Sequence, residues 1–170
     1  MLQTYENGIT NDIESRLTKG VINERGFYFF ATALRYNLFN KTISTFYWYQ
    51  DGLDLKLTNT NFAQRGSIGI VGYYAGPKVK ILDSLALSDP LLVRMPILDN
   101  NQDWRIGHIY RMIPNGYVET IETGINVIED TNIKKYYDKL KIITQDKLFT
   151  KKRFKTIINM NLGKYNYLIK

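Results

Sequence analysis

The sequence predicts an α+β domain: a small central sheet with several packed helices and a helical C-terminal region. Three observations carry this prediction. The Gly-rich apolar run from Ile68 to Asp83 has the composition of a strand, a turn and a second strand. Beyond Asp130, apolar residues recur at helical spacing between capping residues. A chain of 170 residues, 44% apolar and 23% charged, can bury a sizeable core. It shows no internal repeat and no linker, so one domain over residues 1–170 is expected.

Taken in order, Asn11 or Asp12 can cap a short helix running to about Lys19, with Gly20 as its stop. Phe27 to Leu38 is apolar and aromatic with polar breaks, and reads as a second helix. Thr45 to Leu57 alternates enough to be a strand candidate, broken by a turn at Asp51-Gly52. Ser67 to Tyr74 is apolar and β-branched, the pattern of a buried strand. Ala75-Gly76-Pro77 is a turn, and Val79 to Leu82 a second strand ending at Asp83.

Ser88-Asp89-Pro90 resembles a helix start, with Ser88 as cap, Leu91 to Arg94 as the helix and Pro96 as its end. Ile113 to Gly116 is a turn, followed by a short helix, Tyr117 to Thr123, closed by Gly124. Asp130 or Thr131 caps an amphipathic helix carrying Ile133, Tyr136, Tyr137, Leu140 and Ile143 on one side. A last helix spans about Thr150 to Asn161 and stops near Gly163.

The net charge of +7 is unevenly placed. Residues 134–170 hold eleven Lys or Arg against two acids, Asp138 and Asp146, whereas the rest of the chain has twelve basic and fourteen acidic side chains. A basic C-terminal region can attract an anionic membrane surface or nucleic acid, or be a solvated helix face. The membrane ranks first of these partners, because no helix-turn-helix, zinc-finger or RNP-type signature accompanies the charge. Thirteen tyrosines suit half-wet surfaces that grip sugars or lipid headgroups, although abundant Asn, Ile, Lys and Tyr together also fit AT-rich codon usage.

Several chemistries are excluded. With no Cys and one His there is no disulfide, no thiol nucleophile and no structural zinc set, and no EF-hand or HExxH spacing occurs. No Walker loop, GxGxxG fingerprint or GxSxG elbow is present. Gly66, Gly69, Gly72 and Gly76 lie in and around a strand pattern and are expected to permit close backbone packing and tight turns. Met1 to Leu17 lacks the apolar core of a secretory signal. The most apolar stretch, Ile81 to Leu98, is interrupted by Asp83, Asp89, Pro90, Arg94 and Pro96, so no membrane span is expected within it.

Candidate binding residues fall between Asp83 and Tyr117. Arg94, Arg105, His108 and Arg111 together could hold an anionic group, since guanidinium forks suit phosphate. The alternative is internal ion pairing with Asp83, Asp89 or Asp103. Asp83 can cap the turn after its strand, and Asp89 can receive helix-start N–H groups. No pair of these residues makes a catalytic site, and no cofactor is expected.

The segment Gly69-Ile-Val-Gly-Tyr-Tyr-Ala-Gly-Pro-Lys-Val-Lys-Ile-Leu-Asp-Ser-Leu-Ala-Leu-Ser-Asp-Pro-Leu-Leu-Val-Arg-Met-Pro96 resembles a block that follows the last membrane helix of certain bacterial GT-C glycosyltransferases. There a strand reading G-Y-x-A/S-G leads to a second strand, an Asp and a GL-x-D/S-P turn. Trp104-Arg-Ile-Gly-His108, Ile113 to Tyr117, Tyr136-Tyr137 and Glu24-Arg-Gly-Phe-Tyr28 extend the similarity toward both ends. The wider pattern is similar to the mycobacterial-type terminal arabinofuranosyltransferases and their relatives. One departure is Ala86, where the pattern has Gly.

The resemblance implies a soluble C-terminal domain outside the cytoplasmic membrane, the periplasmic part of a larger membrane protein. Its membrane portion would take a sugar from a polyprenyl-phosphate donor and supply the catalytic acid, so no catalytic residue is carried onto this chain. Asp83, Asp89, Arg94, Trp104, Arg105, His108, Arg111 and Tyr117 would contact a glycan acceptor or lipid-linked sugar. Two other readings compete: a stand-alone basic module for anionic membrane or nucleic acid, and a hydrolase using Asp83 and His108.

Overall fold

In the computed structural model, residues 24–40, 46–66, 68–98, 107 and 109–169 are described. The helix expected from Asn11 or Asp12 to Lys19 lies outside them. The described chain is α+β, mostly helical, with one small two-stranded parallel sheet. It gathers into two units: one holds the chain up to Ile81, the other Leu82–Leu98 together with the chain from Tyr110 onward.

The first unit contains α1 (Glu24–Thr32), α2 (Leu34–Asn40), α3 (Tyr47–Leu57), β1 (Phe62–Arg65), α4 (Ile68–Ala75) and the start of β2 (Lys80–Asp83). The single helix expected over Phe27 to Leu38 is thus two, separated at Ala33. The Asn37 amide donates to the carbonyls of Ala31 and Ala33, competing with the backbone there. Tyr28 of α1 lies against Trp48 of α3, with ring centroids 5.2 Å apart.

Two expected strands are helices instead. Within the stretch read as Thr45 to Leu57 the described residues form α3 (Tyr47–Leu57), and within that read as Ser67 to Tyr74 they form α4 (Ile68–Ala75). The reason is the packing of these two helices on each other. Val71 and Ala75, one turn apart on α4, are buried with Leu55 of α3 and Ala63 of β1. Gly52 makes the close approach possible, because a Cβ there would sit 2.6 Å from the Val71 carbonyl oxygen and 2.9 Å from Tyr74 Cβ. Tyr49 and Tyr74 meet edge-to-face at 4.4 Å beside it. Two helical glycines, Gly69 and Gly72, cost roughly 1 kcal/mol each relative to Ala. Burying Val71 returns roughly 1.5–3 kcal/mol, so the helix is affordable only because it packs.

The second strand of the expected strand–turn–strand is present as β2. The Lys80 N–H donates to Asn61 O at 2.9 Å beside β1. The four glycines expected to serve close packing do not all do so: a Cβ at Gly69 would meet nothing, and one at Gly72 only Ile81 Cδ1 at 3.7 Å.

The second unit opens with the end of β2, then a 3-10 turn (Leu92–Arg94), α5 (Tyr117–Thr123), α6 (Thr131–Gln145), α7 (Lys151–Asn161) and a closing 3-10 turn (Asn166–Leu168). Its core includes Leu82, Leu91, Leu92, Tyr117, Ile128 and Tyr136, all at most 1% exposed. The cap expected at Asp130 is present, and Thr150 caps α7 as well. The Asp130 carboxylate accepts the Asn132 and Ile133 N–H groups at 2.8 Å each, and Thr150 Oγ accepts from Arg153 N–H at 3.2 Å. Gly116 and Gly124 bracket α5, both at positive φ (77° and 78°). Among the described residues no helix is long and apolar enough to cross a membrane.

Candidate functional site

The turn after β2 is built by two carboxylates. Asp83, 1% exposed, accepts the Leu85 N–H at 3.0 Å on Oδ1 and both the N–H and hydroxyl of Ser88 on Oδ2, at 2.8 and 3.1 Å. Its backbone carbonyl accepts from Ala86 N–H at 3.0 Å. That turn holds Ala86 at φ 59°, in the left-handed region, with its methyl buried. A position at this φ favours Gly on conformational grounds.

Asp89, rather than Ser88, caps the next turn. Its Oδ1 accepts from Leu91 N–H at 2.9 Å and Leu92 N–H at 2.8 Å. The phenol of Tyr117, brought in at the start of α5, donates to Oδ1 and Oδ2 at 2.9 Å each. Burial pushes the Asp89 pKa above its ordinary value, the Leu92 N–H, the Tyr117 hydroxyl and the Leu91 N–H pull it down, and the charge of Asp83 adds to the rise. Burial first, and then the Asp89 charge, push the Tyr117 phenol far up, so it stays protonated and donating. Tyr137 meets the Tyr117 ring edge-to-face at 5.4 Å.

Comparison with protein-family models, with curated proteins and with solved structures returns no match. The functional reading therefore rests on the residues themselves.

Of the candidate residues, Asp83, Asp89 and Tyr117 come together, but as a buried framework bonded to the protein's own N–H and O–H groups rather than as groups facing a ligand. Arg94 and Arg111 do not pair with either acid. Arg94 is exposed and turns back on the Pro90 carbonyl, and Arg111 Nη1 donates to Met95 O at 3.1 Å. Trp104, Arg105 and His108 lie outside the described residues, as does Asp103. Among the described residues no group of three His, Cys, Asp or Glu could hold a metal ion.

A feature absent from the sequence reading is a short antiparallel ladder made by Pro96–Leu98 and Tyr110–Met112, joined by the Ile97–Arg111 bridge. Leu98 N–H donates to Tyr110 O at 3.1 Å, and Met112 N–H to Pro96 O at 2.9 Å. Alternation puts Leu98, Tyr110 and Met112 on one face of this ladder. All three are exposed. The segments are too short and too far apart in sequence for period-2 patterning to have revealed them.

Proposed function

We propose that this chain is an extracytoplasmic accessory domain of a polyprenyl-phosphate-sugar-dependent glycosyltransferase that acts on a cell-envelope glycan. It would sit at the outer face of the bacterial inner membrane, as part of a membrane protein, and contact the glycan acceptor or lipid-linked sugar without performing the transfer. One observation carries the non-catalytic half of this reading: Asp83 and Asp89 both have their carboxylates filled by protein donors in the interior. A general acid or base must reach the proton it moves, and these two do not face solvent. The residues that carry the resemblance then act as a frame.

The frame presents the exposed face of Leu98, Tyr110 and Met112. An aromatic body with a polar tip and apolar neighbours is a surface on which a sugar ring can stack. Tyr110, rather than the buried Tyr117, is the contact this reading favours.

The test is an NMR titration of the 170-residue chain with oligosaccharides released from bacterial cell envelopes. Shifts centred on Leu98, Tyr110 and Met112, abolished by Tyr110→Ala, are expected. No shift with any envelope oligosaccharide, together with a full-length gene that encodes no membrane spans upstream of Met1, would sink the proposal.

A further inference from the structure

Helix α7 turns Ile157 and Met160 toward the buried side but presents a second set of apolar residues outward. Phe154, Ile158 and Leu162 follow at i, i+4 and i+8, so they form one stripe. They are 53%, 57% and 66% exposed. Thr156, the buried residue of the helix, lies on the opposite side, about 160° away at 100° per residue. Phe149, just before the helix, is 88% exposed. Lys151 falls within the angular range of the stripe and Lys155 about 20° beyond its edge, and both are exposed. Exposed Lys152 adds to them, with its ammonium 3.7 Å from Asp146. No acidic residue occurs between Lys147 and Lys170, which with these ends included hold seven Lys or Arg.

We infer that α7 is an interfacial helix that lies on an anionic lipid bilayer, with Phe154, Ile158 and Leu162 entering the headgroup–acyl boundary. Charge complementarity selects this occupant: an apolar stripe bordered by Lys, with no acid between Lys147 and Lys170, matches a surface that is apolar within and negative outside. The lysine stems extend along the apolar stripe while their ammonium groups reach lipid phosphates. A protein partner with an apolar groove would leave those charges without their counterpart. The inference stands on α7 alone and does not require the glycosyltransferase reading.

The experiment is co-sedimentation of the 170-residue chain with vesicles of equimolar phosphatidylglycerol and phosphatidylcholine, against vesicles of phosphatidylcholine alone. Binding to the first and not the second is expected. Neutralising Lys151, Lys152 and Lys155 to Gln should lower partitioning on the order of 100-fold, at about fivefold per lysine. Phe154→Ser with Ile158→Ser should lower it about tenfold or more while leaving the charge untouched. All five positions are exposed, so unchanged far-UV circular dichroism is expected and verifies folding. Equal binding to neutral vesicles would overturn the inference, and so would full binding by the Ser variant. A wild-type dimer that the Ser variant converts to monomer would assign the stripe to a second copy instead.

Discussion

The hydroxyl of Tyr117 donates to both carboxylate oxygens of Asp89, at 2.9 Å each, in the interior of the second unit. The two residues are 28 positions apart, and the bond fastens the start of α5 to the turn that follows β2. Removing one partner of a buried charge-assisted bond typically costs about 1–3 kcal/mol. Tyr117→Phe should therefore lower unfolding stability at neutral pH by about that amount, measured by urea denaturation. A loss below about 0.5 kcal/mol would mean that the packed ring, not the bond, holds this junction.

The same carboxylate makes a pH prediction. Burial raises the Asp89 pKa in the folded state above its ordinary 3.8. Its contribution to stability is thus fully present below 3.8 and is lost as pH rises through the folded value. The stability difference between wild type and Asp89→Asn should shrink as pH rises across that window. Because the Tyr117 hydroxyl lowers the Asp89 pKa, Tyr117→Phe should extend the window upward. Denaturation curves between about pH 3 and pH 7 check both, and a difference that widens with pH would refute them.

Asp51 behaves oppositely. Arg65 grips it as a fork, Nε to Oδ2 at 2.7 Å and Nη2 to Oδ1 at 2.8 Å, tying β1 to α3. The hydrogen bond to Arg65 holds the Asp51 carboxyl below its usual range. This stability is present above 3.8 and disappears as pH falls through the depressed folded value. The side chains remain 37% and 30% exposed, so the pair is screened by solvent. Arg65→Lys should cost less than about 1 kcal/mol. The Asp51 carboxyl should titrate closer to 3.8 by NMR, and an unmoved titration would refute the fork.

Glycine substitutions should divide by position. Gly52→Ala drives a methyl onto the Val71 backbone and should cost about 2 kcal/mol or more. Gly72→Ala, in ordinary contact with a flexible Ile81 methyl, should stabilise α4 by up to about 1 kcal/mol. Thermal melts of the two variants shifting in the same direction would contradict the α3–α4 packing described.

At Ala86 three magnitudes compete. Relieving a left-handed alanine gains about 1 kcal/mol. Losing its buried methyl costs about 0.8 kcal/mol, and glycine's extra unfolded freedom costs about 0.4–1 kcal/mol. Ala86→Gly should thus lie within about 1 kcal/mol of wild type. Ala86→Val, β-branched at positive φ in a buried site, should lose about 2 kcal/mol or more in chemical denaturation. A tolerated valine would show that this turn does not need the left-handed conformation.

The candidate site was legible only in part. Asp83 and Asp89 could be read as turn and helix-start acceptors because their N–H donors lie within five residues along the chain. Tyr117 stood out as a residue but not as the Asp89 partner, since a separation of 28 positions carries no spacing rule. The outward stripe of α7 was present as an i, i+4, i+8 pattern, but periodicity cannot tell a core-facing stripe from an exposed one.

By itself the sequence determined the α+β class and the C-terminal punctuation. Asp130, Thr150, Gly116 and Gly124 act on N–H groups or dihedrals within three residues of themselves, so their effect is written locally. It also signalled β2, which follows the turn at Ala75-Gly76-Pro77. Only the tertiary structure decided α3 and α4. The run from Ile68 to Ala75 is apolar on nearly every side, so neither period stands out; its β-branched Ile68, Ile70 and Val71 favour a strand, and its glycines disfavour a helix. What makes it a helix is the notch at Gly52 on α3, which lets Val71 and Tyr74 approach the neighbouring backbone. That contact joins residues about 20 apart, and its energy exists only once both helices are in place.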